Sequence, residues 1–199
     1  MEKALIIVDV QNDFLPGGAL AVPEGDAVIP VANELIKQFK IVVATQDWHP
    51  KDHKSFAINH PGKKPGDKII IEGIEQILWP EHCVQNTHGA ELSHKLDASR
   101  ITKVIQKGTD SNIDSYSAFF DNARKKATGL ESFLKSMNVS MIYVIGLATD
   151  YCVKFTVLDG LSLGFKTFLF LRGCRGVNLN PRDVENAIET MKNAGAEIV

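Results

Sequence analysis

Short apolar runs alternate with amphipathic stretches over most of the chain. The run at residues 4–8 is continuously apolar, and residues 41–45 are apolar up to Thr45. Both segments are typical of strands buried on both faces of a sheet. Four more strands are predicted at residues 101–106, 141–145 and 166–171 and at the end of the chain, at Val199. Apolar residues recur at helical spacing in residues 26–39, 130–137, 149–163 and 180–194. This alternation predicts a three-layer α/β fold, in which a six-stranded, mostly parallel sheet carries helices on both faces.

Residues 46–89 interrupt the alternation. Prolines and glycines recur through this segment, and neither a helical nor a strand period persists. A loop of this length inside a compact domain is uncommon and is usually functional or disordered. Its aromatic and histidine side chains argue against disorder, so we expect an ordered, functional loop. These side chains are Trp48, His49, His53, Phe56, His60, Trp79, His82 and His88.

The length and charge of the chain limit its domain number and its partners. Its 199 residues suffice for about one domain, and no linker or repeat divides them, so residues 1–199 are predicted to form a single domain. The net charge of −2 provides no basic surface for nucleic acid or anionic membranes. No apolar window approaches the length of a membrane span. We therefore expect neither a nucleic-acid nor a membrane partner.

Three cysteines, Cys83, Cys152 and Cys174, lie far apart in the sequence. A secreted disulfide scaffold has more cysteines, usually in even number and in a shorter chain. The first apolar run is too short for the core of a signal peptide, and no cleavage site of small residues follows it. We expect a cytoplasmic protein with free thiols.

Four chemically distinct side chains stand where predicted strands end: Asp9, Asp47, Lys107 and Cys152. Ligands bind beyond the carboxyl ends of the strands in an open parallel sheet, so this fold would bring the four to one edge. Cys152 lies in the first turn of a predicted helix, where the helix dipole favours the thiolate. Lys107 would lower the thiol pKa further, and Asp9 could accept the thiol proton and return it to a leaving group. The pattern predicts a nucleophilic site.

Other polar residues near these positions have structural interpretations. Asp13 is expected to cap a helix or turn, and Cys174 to be a structural thiol without an acid–base partner. His60, His88 and His94 are expected to face solvent.

The segment after the second strand offers metal ligands. Asp47 and His49 are two residues apart and point the same way in an extended chain. His82 could complete a set of two imidazoles and one carboxylate, with open positions for water and substrate. His53 is a candidate fourth ligand, although from spacing alone these histidines could equally be surface residues. Oxygen and imidazole donors suit zinc, iron or manganese.

Several motifs follow one another along the chain in a definite order. They are Asp9-Val-Gln-Asn-Asp-Phe14, Asp47-Trp-His49, Trp79-Pro-Glu-His-Cys83, Lys107-Gly108, Asp114-Ser-Tyr-Ser-Ala-Phe-Phe120 and Ala148-Thr-Asp-Tyr-Cys152. In this order they closely resemble the nicotinamidase/pyrazinamidase family, which belongs to the isochorismatase-like cysteine hydrolases. The likeness extends from residue 4 to the end of the chain.

The resemblance implies a fold, an activity and a set of catalytic groups. The fold is a six-stranded parallel sheet with flanking helices, and the reaction converts nicotinamide to nicotinate and ammonia in NAD salvage, with pyrazinamide as an analogous substrate. The implied catalytic triad is Asp9, Lys107 and Cys152. The implied oxyanion hole uses the backbone amides of Ala148 and Cys152, with a cis peptide bond between Leu147 and Ala148.

The resemblance also implies a cofactor and a substrate pocket. One divalent metal ion, with zinc as the first choice, would be bound by Asp47, His49 and His82. Some members of the family use a histidine at the position of His53, and others use water. The residues that would line the pyridine pocket are Phe14, Leu20, Trp79 and Tyr116. The oligomeric state is left open, and a homo-oligomer is compatible with the sequence.

Three alternatives to this interpretation make different demands on the site. In a metal–water hydrolase, the metal would generate the nucleophile and Cys152 would be a bystander. A relative with another amide or ureido substrate would have little use for a metal that binds a ring nitrogen. A binding module without catalysis would have no use for an acid, a base and a thiol together.

Overall fold

A computed structural model describes residues 2–199. In chain order, the strands are β1 (Glu2–Val8), β2 (Ile41–Asp47), β3 (Lys68–Ile71), β4 (Ile74–Ile77), β5 (Lys103–Lys107), β6 (Val139–Leu147), β7 (Lys166–Arg175) and β8 (Glu197–Ile198). The α-helices are α1 (Val28–Ile36), α2 (Leu130–Ser136), α3 (Lys154–Ser162) and α4 (Asp183–Asn193). A π-helical turn, Thr149–Val153, leads directly into α3.

Six strands form one parallel sheet in the order β5-β2-β1-β6-β7-β8. The central strand β1 is buried on both sides, because Leu5 and Ile7 face one apolar cluster while Ala4, Ile6 and Val8 face the other. This agrees with the continuous apolar run in the sequence. The predicted six-stranded α/β fold is confirmed.

The helices cover both faces of the sheet. Helix α1 contributes Val28, Ala32 and Ile36 to the cluster on one face, whereas α2, α3 and α4 pack on the other. The predicted first helix was longer, at residues 26–39. Within residues 2–199, no helix combines the length and the apolar character needed to cross a membrane.

The long segment at residues 46–89 contains a hairpin that the sequence pattern did not predict. Strands β3 and β4 pair antiparallel and stay apart from the main sheet. Their connection has positive φ at both Glu72 (50°) and Gly73 (81°), as a type I′ turn requires. An acidic residue followed by glycine between two short isoleucine-rich runs was the available signal.

The last helix begins at Asp183, three residues after its predicted start at Asn180. Arg182 adopts a left-handed conformation, with φ of 72°, which prevents helical geometry from continuing back through Pro181. The Asp183 carboxylate accepts a hydrogen bond from the Asn180 amide at 2.8 Å. The helix therefore begins after Arg182, and Asn180 and Pro181 lie in the turn that precedes it.

A glycine allows β1 and β6 to approach closely at their carboxyl ends. Gly146 pairs with Val8 and has φ of +119°, which L-residues rarely adopt. A Cβ atom at this position would overlap the backbone of Val8. The close approach brings the residue after β1, Asp9, next to the segment that follows β6.

Gly146→Ala is expected to lower the free energy of unfolding by more than Gly164→Ala does. Both glycines have positive φ, so alanine costs about 1–2 kcal/mol in either place. Gly164 has open space around it, whereas Gly146 meets the Val8 backbone, and overpacking adds about 1–3 kcal/mol. Urea denaturation of both variants measures the difference, and equal losses would contradict the close approach of β1 and β6.

Candidate active site

The carboxyl ends of three adjacent strands bring the predicted polar residues together. Asp9 follows β1, Asp47 ends β2 and Lys107 ends β5, where it pairs in register with Asp47. Cys152 lies in the π-helical turn after β6. Ligand atoms of Asp9, Asp47 and Cys152 lie within 4.8 Å of one another.

The ammonium group of Lys107 occupies the centre of this cluster and is 2% exposed. Its Nζ lies 2.9 Å from Asp9 Oδ2, donates to the Asp47 carboxylate and donates to the Ser115 carbonyl at 2.8 Å. A fourth contact reaches Cys152 Sγ at 3.4 Å. Burial alone would lower the pKa of Lys107, but the Asp47 and Asp9 carboxylates outweigh burial and hold this pKa well above its usual value. The lysine is therefore a permanent cation.

Asp9 is fully buried and is held by a threonine of the neighbouring strand. Thr45 Oγ1 donates to Asp9 Oδ1 at 2.5 Å and accepts a hydrogen bond from the Asp9 amide at 3.1 Å. Burial raises the pKa of Asp9 to about 6, although the charge of Lys107 opposes this shift. At neutral pH Asp9 is consequently a carboxylate, and a better proton acceptor than an exposed aspartate.

The pKa of the Cys152 thiol contradicts the prediction that its surroundings favour the thiolate. Burial raises the thiol pKa well above its ordinary value; Lys107 opposes this, and the charges of Asp9 and Asp47 reinforce it. The helix start and Lys107 do not lower the thiol pKa below its ordinary value, because the thiol is buried beside two carboxylates. The resting thiol keeps its proton, and Asp9 is the adjacent group that can accept it.

The backbone between β6 and Cys152 has the expected cis peptide bond, between Leu147 and Ala148. The Ala148 carbonyl accepts hydrogen bonds from the amides of Tyr151 (3.0 Å) and Val153 (3.1 Å). Ala148 and Cys152 border the same cleft. The turn thus fixes Ala148 close to the thiol.

Three buried donors form a set suited to a metal ion: Asp47, His49 and His82, with ligand atoms within 4.8 Å of one another. His49 Nδ1 lies 2.9 Å from the Gly108 carbonyl, and His82 Nδ1 lies 2.8 Å from the Pro80 carbonyl. A carbonyl oxygen can only accept a hydrogen bond, so we assign the proton to each Nδ1, which leaves each Nε2 with a free lone pair. The two Nε2 atoms lie 3.6 Å and 3.9 Å from Asp47 Oδ2.

The electrostatics of these donors fit a cation. His49 Nε2 is buried without a hydrogen-bond partner among residues 2–199, which is costly unless another ligand satisfies it. Burial lowers the pKa of His82 to about 4, so its imidazole is neutral, as a metal ligand must be. For His49, the charge of Asp47 outweighs burial and raises the pKa, which shows that positive charge is favoured at this position. The carbonyl partners of both imidazoles are the outer-shell contacts that metal-binding histidines use.

His53 lies beside this set and not within it. Its ring centroid is 4.4 Å from that of His49, and its Nδ1 lies 2.7 Å from Ser55 Oγ. Its donor atom groups with His49 and Asp114, and its Nε2 is also buried without a partner in the described chain. The structure does not bring His53 together with Asp47 and His82, so direct ligation by His53 stays a prediction.

The remaining histidines are peripheral. His88 and His94 are exposed, as expected. His60 is half-buried, and its Nε2 lies 2.8 Å from the Lys54 carbonyl, so the expectation that it faces solvent is only partly correct.

Asp13 and the other two cysteines have structural surroundings. The Asp13 carboxylate accepts hydrogen bonds from the amides of Ala19 (3.3 Å) and Cys83 (2.7 Å), and so joins two loops. Cys83 and Cys174 are buried, and all three thiols of the chain are free.

A cleft lies between the Cys152 thiol and two of the candidate metal ligands, Asp47 and His82. The four residues expected in the pocket, Phe14, Leu20, Trp79 and Tyr116, all line it, as do Ala148, Cys152, Asp47 and His82. Four further lining residues were not predicted: Val22, Asp114, Tyr151 and Val177. The walls are mostly aromatic and aliphatic, so the cleft suits a flat, uncharged ring.

Two buried polar residues that sequence reasoning missed position the acids. Gln11 Nε2 donates to the Asp47 carbonyl, and Gln11 Oε1 accepts from the Asp47 amide, both at 2.8 Å. Thr45 binds Asp9 as described above. Gln11 lies inside the first motif, and Thr45 is a polar residue in a buried strand, which were the available signals.

Comparison with known proteins places this architecture in a defined class. The family model described as the isochorismatase domain matches residues 3–199, so the chain belongs to the isochorismatase family.

Within that family, several relatives at 34–50% identity are nicotinamidases. The chain is 50% identical to a nicotinamidase of Escherichia coli over 98% of its own length and 93% of the relative. The structure resembles a nicotinamidase/pyrazinamidase of Acinetobacter baumanii with a TM-score of 0.97 and 45% identity, covering 100% of this chain and 95% of that one. It also resembles a pyrazinamidase of Pyrococcus horikoshii in complex with zinc, with a TM-score of 0.81, 41% identity and coverage of 100% and 99%. The resemblance that the sequence motifs indicated is confirmed.

Thr45→Val is expected to lower the free energy of unfolding by about 1–3 kcal/mol, because it leaves a buried Asp9 oxygen and the Asp9 amide without a partner. Thr45→Ser keeps the hydroxyl and is expected to stay within about 1 kcal/mol of the unmodified protein. Urea denaturation measures both. A serine variant as unstable as the valine variant would assign the effect to packing and not to the hydrogen bonds.

Proposed function

We propose that the protein is a nicotinamidase, which hydrolyses nicotinamide to nicotinate and ammonia and also accepts pyrazinamide. The observation that carries the proposal is the Cys152 thiol, 3.4 Å from a buried lysine and next to the Asp9 carboxylate, at the edge of a cleft lined by aromatic rings. The names of the similar proteins support the same substrate. Nicotinate is a precursor of NAD, so the reaction belongs to NAD salvage.

The proton and the leaving group are handled by Asp9 in this scheme. Asp9 accepts the Cys152 proton, and the thiolate sulfur forms a bond to the carboxamide carbon. Asp9 then returns the proton to the departing nitrogen, the C–N bond breaks, and ammonia leaves a thioester on Cys152. Water, deprotonated by Asp9, attacks the thioester and releases nicotinate and the thiol. The raised pKa of Asp9, about 6, suits it both to accept a proton from Cys152 and to donate a proton to the leaving nitrogen.

Lys107 and the backbone stabilise the charges that arise. Lys107 Nζ donates to Asp47 and Cys152 and forms an ion pair with Asp9 at 2.9 Å, so negative charge on the sulfur or on Asp9 has a fixed cation beside it. We assign the oxyanion hole to the amides of Ala148 and Cys152. Donors of this kind contribute roughly 3–4 kcal/mol each to the transition state in other enzymes.

We further propose that Asp47, His49 and His82 hold one divalent metal ion, zinc in the first instance and iron or manganese as alternatives. The donor chemistry and the unpartnered His49 Nε2 support the site, and the Pyrococcus pyrazinamidase in complex with zinc supports the metal. When bound, such an ion offers a Lewis-acid position to a pyridine nitrogen. Phe14, Leu20, Trp79 and Tyr116 enclose the ring.

The setting of the enzyme follows from the same chemistry. We propose that residues 1–199 act as a single domain in the cytoplasm, where a reducing environment keeps the nucleophile available. The three free cysteines support this location.

Cys152→Ala is expected to reduce nicotinamide turnover by at least about 10³-fold, because loss of the nucleophile removes covalent catalysis. Release of ammonia from nicotinamide measures turnover. Cys174→Ala, which removes a buried thiol outside the cleft, is the matched control and should retain turnover. Survival of the Cys152→Ala activity within tenfold, with metal still bound, would favour the metal–water hydrolase and end the thioester scheme.

His82→Ala is expected to weaken zinc affinity by at least about 100-fold. Mutation of residues that only contact a metal ligand costs up to about 100-fold, and loss of a ligand itself should cost at least as much. His53→Ala is expected to weaken it by less than about tenfold, because His53 lies outside the three-donor set. Competition with a chromogenic chelator measures both constants on the purified, metal-free proteins. If His53→Ala costs as much affinity as His82→Ala, His53 is a direct ligand.

A further inference from the structure

An outer groove lies next to the catalytic cleft, between the β3–β4 hairpin and the face of α3 and α4. Its walls include Lys68 and Glu75 from the hairpin and Lys154, Phe155 and Leu179 from the other side. The cleft and the groove share two lining residues, Tyr116 and Tyr151. These two rings therefore form the partition between the reacting centre and the groove.

The Tyr151 ring is the part of this partition that is fixed by packing alone. It meets Trp79 edge-on at 4.9 Å and 88°, and lies 5.6 Å from the Tyr116 ring. Trp79 and Tyr116 are joined by a hydrogen bond from Trp79 Nε1 to the Tyr116 hydroxyl at 3.0 Å. The Tyr151 side chain makes no hydrogen bond to any residue in the described range 2–199.

The backbone that carries Tyr151 is held firmly on both sides. Its amide donates to the Ala148 carbonyl at 3.0 Å. The preceding residue, Asp150, is buried, and its carboxylate accepts hydrogen bonds from the backbone amides of Val177 (2.9 Å) and Asn178 (2.8 Å). The ring consequently cannot leave the partition by a shift of the turn without breaking these contacts.

We propose that Tyr151 sets the upper size limit of the substrate, and that the groove behind it is an extension subsite for a ring-substituted nicotinamide once Tyr151 is reduced in size. This inference rests on the proposed nicotinamidase activity. The groove contains a pair of stacked rings, Phe155 and Tyr116, at 5.5 Å and 30°, and the Lys154 ammonium lies 4.9 Å from the centroid of the Phe155 ring. The other walls are mostly polar. A planar aromatic substituent on the pyridine ring is the chemistry that these rings and this cation fit.

The test compares nicotinamide with 5-phenylnicotinamide, whose substituent is not next to the ring nitrogen, in ammonia release by the metal-loaded enzyme. The measured quantity is the ratio of kcat/KM for the phenyl amide to kcat/KM for nicotinamide. Tyr151→Ala is expected to raise this ratio at least about tenfold, within the range that pocket size controls in other enzymes. Tyr151→Phe keeps the ring and is expected to keep the ratio of the unmodified enzyme within about threefold, because the hydroxyl has no partner in the described chain.

A second variant tests whether the phenyl substituent binds against Phe155 in the groove. Phe155→Ala in the Tyr151→Ala background is expected to lower the ratio for the accepted phenyl amide by about threefold or more, by removing the stacked ring. If Tyr151→Ala does not fold, Tyr151→Leu replaces it in the same comparison, with a smaller opening between the cleft and the groove.

The results separate failure of this inference from failure of the proposed function. No ammonia from nicotinamide with the unmodified enzyme would overturn the proposed function. Turnover of nicotinamide together with an unchanged ratio in Tyr151→Ala and Tyr151→Leu would overturn the size limit alone. Efficient hydrolysis of the phenyl amide by the unmodified enzyme, or an equal gain in Tyr151→Phe, would overturn it as well.

Discussion

The buried ammonium group of Lys107 is the interaction on which the site depends. Its carboxylate partners, Asp9 and Asp47, end or follow two neighbouring strands, and Lys107 ends a third. Removal of one member of a buried ion pair leaves an uncompensated charge, which typically costs about 3–5 kcal/mol. A shift in the register of β5 or β2 would separate these charges, so the pairing favours the register in which β5, β2 and β1 end together, and the same contacts assemble the reactive groups.

The charges of this cluster explain why the thiol is protonated at rest. One ammonium and two carboxylates sum to −1, and ionisation of Cys152 into solvent would bring the buried total to −2. Transfer of the same proton to Asp9 leaves the total unchanged, since one carboxylate is neutralised as the thiolate forms. A buried site can thus generate its nucleophile without a change in net charge, which is the event that low dielectric surroundings penalise most.

The sequence predicts the positions of these groups better than their energetics. Apolar runs identify β1 and β2. The polar residues that follow the predicted strands identify Asp9, Asp47 and Lys107, because strand ends of a parallel sheet share one edge. The sign of the Cys152 pKa shift could not be predicted, since it depends on burial and on distances between residues remote in the chain. Thr45 was missed because one polar residue in an apolar strand marks a buried polar group but does not identify its partner.

One short turn, Thr149–Val153, carries both the proposed nucleophile and the ring that separates the cleft from the groove. Cys152 and Tyr151 are adjacent, so their side chains diverge from the same rigid backbone, one towards Lys107 and the other towards Trp79. The Asp150 carboxylate, bound to two backbone amides, anchors this turn independently of the Lys107 cluster. Reactivity and size selection are consequently controlled by separate contacts on one element, which allows the ring to be changed while the sulfur keeps its place beside Lys107.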